Sequence, residues 1–365
     1  MRILHVFRMP VGGLFRHVRD LARGQAAAGH DVGIVCDSTT GGATAEGLLA
    51  EIAPACALGV HRIPISRLPG AGDLSGTRET AAQIRKLRPG LIHCHGAKGG
   101  LYGRIAARLA GLPSVYTAHG GSLHYSWTQG AGAAFLGAEW LLRQAGTGLH
   151  FVCRYERETY AQKIGLGSTP NCVIHNGLWP EEIATIAPDS GAADLLFIGD
   201  MRLLKGVDLL IDALGTLNRT RRTTACLVGD GPDLAQFKAQ AAAAGLAEVV
   251  SFAGRIPARE AFRRGRLLVM PSRAESFPYI VLEACAARIP LLASAVGGVA
   301  EVLEPANLFP AKDAQALTQR LAEALASPAP LRQLALANQS RIARDFAAGP
   351  MVDAILEFYR ELGAS

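Results

Sequence analysis

Short, continuous apolar runs alternate with longer Ala- and Leu-rich stretches along the whole chain. In the first half the runs fall at 3–7, 32–36, 91–95, 115–119, 149–153 and 172–175. In the second they fall at 195–199, 225–229, 249–253, 267–270 and 291–295. Runs of this kind, unlike runs apolar at alternate positions only, predict strands buried on both faces, as in a parallel sheet covered by helices. The intervening stretches have helical length, which completes a βαβ rhythm. That rhythm occurs twice, and residues 177–193, with two prolines and an acidic, glycine-containing tract, read as a linker between the two sets. The pattern predicts an α/β protein of two doubly wound parallel-sheet domains, residues 1–178 and 179–347. Gly349-Pro350 then opens a last helix with Met351, Val352, Ile355, Leu356, Tyr359 and Leu362 on one stripe. Residues 348–365 are expected to pack this helix back toward the N-terminal domain. Ligands of such sheets lie beyond the carboxyl ends of the strands, and two such domains are expected to face each other across a cleft.

Composition narrows the reading. The chain has 365 residues, 49% hydrophobic and 19% charged, enough to bury two cores and too apolar for a disordered protein. Met1-Arg2 leads at once into a strand-like run, which argues against a secretory leader, and no apolar window reaches roughly 18 residues. The seven cysteines (36, 56, 94, 153, 172, 226, 285) are scattered and lack any Cys-x-x-Cys. They are expected to be buried thiols in a reducing cytosol, not a disulfide frame or zinc site. The net charge of +6 is uneven: residues 1–180 hold 18 Lys/Arg against 10 Asp/Glu, and residues 181–365 hold 19 against 21. All ten histidines lie at or before His175. A basic, His-rich half beside a near-neutral half suggests that the halves meet different ligands. Dispersed basic residues and 6% aromatics give no support to nucleic-acid binding.

Several motifs fall just after predicted strands. Gly12 and Gly13 precede a helix, where backbone can approach a phosphate closely. A dinucleotide fingerprint is absent there, which weighs against a nicotinamide enzyme. Arg202 and Lys205, in the segment 199–206, are three apart and would project together from the first turn of a helix. Two cations there call for an anion, such as a diphosphate. Glu275 and Glu283 are eight apart, one in a loop and one in the next helix, and carboxylates among apolar neighbours need donors such as sugar hydroxyls. This spacing does not by itself establish the geometry of a glycosidase pair. Gly297 and Gly298 form a second backbone cradle before a helix. His119 ends a strand ahead of Gly120-Gly121 and is placed to meet a ligand. His93 and His95 share one strand face, but no third His or carboxylate is spaced to complete a metal site, so core or acceptor-loop roles are expected for them.

In their order and spacing these segments resemble the retaining nucleotide-sugar transferases of glycosyltransferase family 4, which have the GT-B fold of two facing Rossmann-like domains. The resemblance covers about residues 2–360 and is most specific at Glu275–Glu283. Gly29-His30-Asp31-Val32, Asn176-Gly177, Gly229-Asp230-Gly231-Pro232 and Phe252-Ala253-Gly254-Arg255 support it. It implies that Glu283 binds the donor ribose, and that Glu275 with Ser276, Phe277, Pro278 and Tyr279 holds the donor sugar. Arg202 and Lys205 would clamp the diphosphate with help from Gly12-Gly13, His119 would touch the sugar near its reacting carbon, and Arg255-Ile256 would lie against the base. Three departures stand out: Asp200 where the family usually has Arg, Pro278 where Gly is common, and Arg288 where a small residue is frequent.

The resemblance further implies transfer with retention from a UDP- or GDP-linked sugar, with no essential metal and no other cofactor. The lack of any Asp-x-Asp agrees with metal independence. The expected acceptor is a sugar, lipid-linked sugar or glycolipid of bacterial polysaccharide or lipopolysaccharide synthesis. The expected place is the cytoplasm, and residues 123–127 with the helix bearing Phe135, Leu136, Trp140 and Leu141 are candidates for contact with the anionic inner membrane face or the acceptor, the alternative being a helix that only covers the sheet. A nucleotide-sugar epimerase of the same fold is the alternative.

Overall fold

The computed structural model describes residues 1–364. The expected C-terminal segment 348–365 ends on Ser365, which lies outside them. Every predicted run becomes a strand, and all pairings between strands are parallel. The first sheet comprises β1 (Arg2–Val6), β2 (Asp31–Asp37), β3 (Gly59–Ile63), β4 (Leu91–His95), β5 (Ser114–Thr117), β6 (Gly148–Phe151) and β7 (Asn171–Val173). Its order is β3-β2-β1-β4-β5-β6-β7. The second comprises β8 (Ala193–Ile198), β9 (Ala225–Val228), β10 (Val250–Gly254), β11 (Gly265–Met270), β12 (Leu291–Ser294) and β13 (Leu308–Phe309), in the order β10-β9-β8-β11-β12-β13. Chain direction across each sheet reverses between the first strand and the fourth, that is, between β1 and β4 and between β8 and β11. Those are the switch points where such sheets bind ligands.

The chain divides into two compact units, Met1–Asn176 with the residues from Ala348 onward, and Gly177–Ala347. The stretch 177–193, read from sequence as a linker, belongs to the second unit. Its backbone is bonded there, Ile186 N–H to the Ala287 carbonyl at 3.0 Å and Asp189 N–H to that of Arg263 at 2.8 Å. Two strands escape the sequence pattern because they are edges. β3 carries His61 and Arg62 and has only Ile63 buried, and β13 is two residues long. The run at 115–119 stops at Thr117, since His119 turns to φ +54°.

In the second unit Leu195, Phe197, Leu210, Leu227, Val269 and Leu292 centre an apolar core on one face of the sheet. The first unit is less uniform, and period 2 along its strands explains why. Leu4, Val6, Ile92, Cys94, Tyr116 and Leu149 point to one face and form an apolar cluster. The residues between them, His5, His93, His95, Thr117 and His150, point to the other face. Register brings His5 opposite His93, His95 opposite Thr117, and Thr117 opposite His150. All five are buried, with no exposed surface. The helix Gly12–Ala27 brings His17 and Gln25 to this polar interior and the helix Ala348–Glu361 brings Tyr359, all three likewise buried. The histidine-rich character of the first half is therefore largely internal.

Candidate active site

The switch point of the second sheet assembles most of the charged residues picked out from sequence. After β8, Arg202 lies extended, Leu203–Lys205 makes one 3-10 turn, and the helix Val207–Leu217 starts only after Gly206. The two cations therefore do not share a first helical turn, which corrects that expectation. Arg202 is exposed, whereas Lys205 reaches back, its Nζ donating to Glu275 Oε1 at 2.6 Å. Ser272 Oγ donates to the same oxygen at 2.7 Å, and Glu275 is only 9% exposed. Backbone proximity sets this geometry. Gly206 has φ +71°, and a Cβ there would sit 1.9 Å from the Pro271 carbonyl oxygen, so only glycine lets the Lys205 turn lie on the strand-to-helix loop. Gly297, at φ +58°, plays the same part from the other side, since a Cβ would meet the Glu275 carbonyl at 2.2 Å.

That packing changes the part expected of Gly297-Gly298. The Gly298 N–H donates to the Ser276 carbonyl at 2.7 Å, so this turn braces the glutamate loop instead of offering that N–H to a ligand. Of the remaining predicted residues, Phe277 and Tyr279 are buried, Ser276 and Pro278 are half-buried, and Pro278 precedes the helix Tyr279–Ala286 that carries the half-buried Glu283. Pro278 has no N–H, so one backbone donor to a sugar is lost where glycine would supply it. Asp200 stands 3.8 Å from Arg255, both about half exposed, a pairing of little energetic weight. Ile256 is half-buried beside it. Sequence reasoning missed Arg273 and Asp208. They form a two-pronged ion pair at 2.7 and 2.6 Å, which holds the guanidinium pKa above its ordinary value, and Arg273 also donates to the Leu203 carbonyl. This pair ties the phosphate-type turn to the glutamate loop.

The first unit carries Gly12-Gly13 and His119 beyond strands of its own sheet. The helix after β1 begins at Gly12 itself, and no side chain caps it. His119 follows β5 in the left-handed region, is partly exposed, and precedes Gly120. The turn is fixed by Glu156, buried at 1% exposure, whose two carboxylate oxygens accept the N–H groups of Gly120 at 2.5 Å and Val152 at 3.0 Å. Nothing in the spacing of Glu156 suggested this role. His93 and His95 are not short of a third histidine, as the sequence suggested. His5, His17, His119 and His150 converge on them through strand register and the first helix.

These groups form one hydrogen-bonded chain with a determinable direction. The Ile174 carbonyl can only accept, so His150 Nε2 donates to it at 3.0 Å. A neutral His150 then accepts at Nδ1 from the Thr117 hydroxyl (2.8 Å), whose oxygen accepts from His93 Nε2 (2.8 Å). His93 Nδ1 accepts from the Tyr359 hydroxyl (2.5 Å), and that oxygen accepts from the Gln25 amide nitrogen (3.4 Å). Gln25 Oε1 accepts from His5 Nε2 (2.9 Å), His5 Nδ1 from His95 Nε2 (3.0 Å), and His95 Nδ1 from His119 Nε2 (3.1 Å). Every donor points the same way, and His119 is left with its Nδ1 lone pair. Burial supplies the required neutrality. It pushes His5 and His150 down to about 4 and His119 to about 3, and holds His17, His93 and His95 well below the ordinary value, with the neighbouring histidines adding to the effect.

With fold and site in hand, known proteins place the chain. Residues 12–177 match the family model for a glycosyl transferase 4-like domain, and residues 180–341 that for glycosyl transferases group 1. The chain belongs to the family 4 type of glycosyltransferases, with the GT-B fold. It is 29% identical to a glycogen synthase of Mycobacterium tuberculosis, over 95% of this chain and 91% of that one. It is 27% identical to a D-inositol 3-phosphate glycosyltransferase of Arthrobacter sp., over 80% and 76%. Its fold matches sucrose-phosphate synthase from Thermosynechococcus elongatus at TM-score 0.83 with 21% identity, over 100% and 99% of the two chains. Anabaena HepE in complex with UDP and glucose matches at TM-score 0.85 with 19% identity, over 99% and 100%. The protein is thus an enzyme that transfers glycosyl groups from nucleotide sugars. The epimerase alternative draws no support from these relatives.

The neutral histidines set a pH dependence with a definite sign. Below about 6.5 the unfolded chain binds protons on these rings, whereas the folded chain holds His5 and His150 neutral down to about 4. Stability therefore rises with pH across this window and is lost as pH falls. At pH 5 each of these two rings costs about 2 kcal/mol. Thermal unfolding at pH 7 and pH 5 should show a markedly lower Tm at pH 5, and an unchanged Tm would contradict the neutral assignment.

Proposed function

We propose that the enzyme transfers its sugar with retention and without a metal ion, from a UDP- or GDP-linked donor whose diphosphate meets Lys205. The observation that carries this reading is the Lys205–Glu275–Ser272 cluster at the switch point of the second sheet, braced by Arg273–Asp208. An ammonium has three donors. One goes to Glu275, which leaves the group able to face a phosphate as negative charge develops on the leaving nucleotide. Glu275 in turn keeps a carboxylate oriented to accept sugar hydroxyls, and Glu283 is assigned to the ribose. Arg202, exposed on its loop, adds a second cation, and Arg255 with Ile256 flanks the base. In the first unit His119 offers its Nδ1 lone pair to a sugar hydroxyl, and the uncapped helix start at Gly12-Gly13 offers N–H groups to an anion. Retention follows the habit of the family.

The acceptor is assigned to the first unit, as the hydroxyl of a sugar, lipid-linked sugar or glycolipid of bacterial polysaccharide or lipopolysaccharide assembly. Among the described residues no helix is long and apolar enough to cross a membrane. Peripheral contact is supported by Tyr125, Trp127, Trp140 and Leu141, all exposed, whereas Leu123 and Leu136 of the same expected surface are buried in the core. Phe135 stacks on Tyr125 at 5.0 Å. Such contact would place the enzyme at the cytoplasmic membrane face. Flotation with vesicles containing anionic lipid should recover the protein at low salt, and its absence from the vesicle fraction would remove the membrane role.

For catalysis, Lys205→Ala should lower kcat/KM by at least about tenfold, roughly 1.4 kcal/mol of transition-state stabilisation, with full activity of the wild type in excess EDTA. A folded variant with unchanged kcat/KM would remove Lys205 from the site. Loss of activity in EDTA, restored by Mg²⁺ or Mn²⁺, would overturn metal independence.

A further inference from the structure

His17 is the one member of the buried histidine group that stands outside the hydrogen-bonded chain. It is fully buried, and neither ring nitrogen makes a hydrogen bond of good geometry, Asn176 being the polar side chain that acts on it. Such a group needs an explanation, because an imidazole stripped of water without a partner is costly. Its ring centroid lies 5.0 Å from that of His119 and 5.7 Å from that of His95. One nitrogen from each of the three rings lies within 4.8 Å of the other two. We propose that His17, His95 and His119 form a binding site for a tetrahedral transition-metal ion such as Zn²⁺, and that the bound ion interchanges with the His95–His119 hydrogen bond.

The distance between His95 and His119 suits both states. Two nitrogens bound to one tetrahedral zinc at about 2.0–2.1 Å stand roughly 3.3 Å apart. His95 Nδ1 and His119 Nε2 are 3.1 Å apart across their hydrogen bond, so an ion takes the place of the shared proton with little movement. Burial keeps all three rings neutral near pH 7, which leaves each a lone pair to give. The support behind the ligands is already built. His95 keeps its Nε2–H on His5 Nδ1, and His5 keeps its own on Gln25, the arrangement that orients metal-bound imidazoles. His119 is partly exposed and gives the ion a way in. The neighbouring triple of His5, His93 and His95 also lies within ligand reach, but all six of its ring nitrogens are engaged in the chain. An ion there would break several hydrogen bonds, against one at His17–His95–His119.

Proton balance gives the binding a signature. Nε2 of His119 gives up its proton to bind the ion, and Nδ1 of the same ring takes a proton, so no net proton is released. The group that His119 turns outward then changes from acceptor to donor. This consequence rests on the role proposed above for His119, and it makes the ion an inhibitor of transfer. The site itself does not depend on that role.

The test uses the full chain, treated with EDTA and exchanged into metal-free buffer, titrated with Co²⁺ at neutral pH. The expected result is a tetrahedral cobalt spectrum that saturates at one ion per chain and is abolished by Zn²⁺. Zinc calorimetry in two buffers of different ionisation enthalpy should show no proton release. His17→Phe, checked for folding by its unfolding transition, should weaken binding by at least about 100-fold, while His93→Gln should retain it. Lack of a saturating cobalt spectrum in the wild type would overturn the site without recourse to any variant. Equal binding by His17→Phe, or equal loss in His93→Gln, would overturn it too. Zn²⁺ should inhibit transfer by the wild type and not by His17→Phe. Stoichiometric binding with no inhibition would leave the site standing and remove the role of His119.

Discussion

Four imidazoles on one sheet face, one on the covering helix and His119 just beyond β5 can pack together only as neutral rings. Charging even one would set an ion away from water in a space walled by strands and helices, and charging a second would add repulsion between the rings. Neutrality then constrains everything attached to it. A neutral imidazole has one donor and one acceptor, so a single fixed end at the Ile174 carbonyl determines every tautomer along the chain to His119. Tyr359 is a link in that chain, which is why the last helix returns to the first unit and carries a polar tip among its apolar stripe. Folding and the chemical state of His119 are thus one problem.

The second unit solves a different problem by opposite means. There the central contact is an ion pair, Lys205 with Glu275, set at the switch point by two glycines that allow backbones to touch and by the Arg273–Asp208 brace. The charge imbalance between the halves acquires a physical meaning from this contrast. The near-neutral half concentrates its working charge in one pair and a few exposed arginines. The basic half owes its positive balance to surface Lys and Arg, because the buried histidines contribute none.

Legibility from sequence followed the physics of each feature. Fully apolar strands announced themselves, and with them the parallel sheets, the switch points and the loops that bear Lys205, Glu275 and His119. Edge strands β3 and β13 did not, since a polar or two-residue edge has no distinctive period. The Gly297-Gly298 turn looked like a ligand cradle, because the pattern is the same whether the N–H groups meet a phosphate or the Ser276 carbonyl. Glu156, Arg273 and Asp208 were invisible because their partners lie far along the chain or in a neighbouring loop. The histidine cluster was half visible. His93 and His95 share a face by strand period alone, but the rings that join them come through strand register and a helix. The alternation His-x-His in β4, with a histidine inside β1 and another in β6, was the available signal.

The direction of that buried chain fixes the state of every ring in it. Nitrogen-15 NMR of the imidazole rings at pH 7 reads each tautomer separately. His5, His93, His95, His119 and His150 should all be neutral and protonated at Nε2, with His119 Nδ1 unprotonated. An imidazolium among them, or an Nδ1-protonated His119 in metal-free protein, would contradict the chain and the acceptor role it gives to His119.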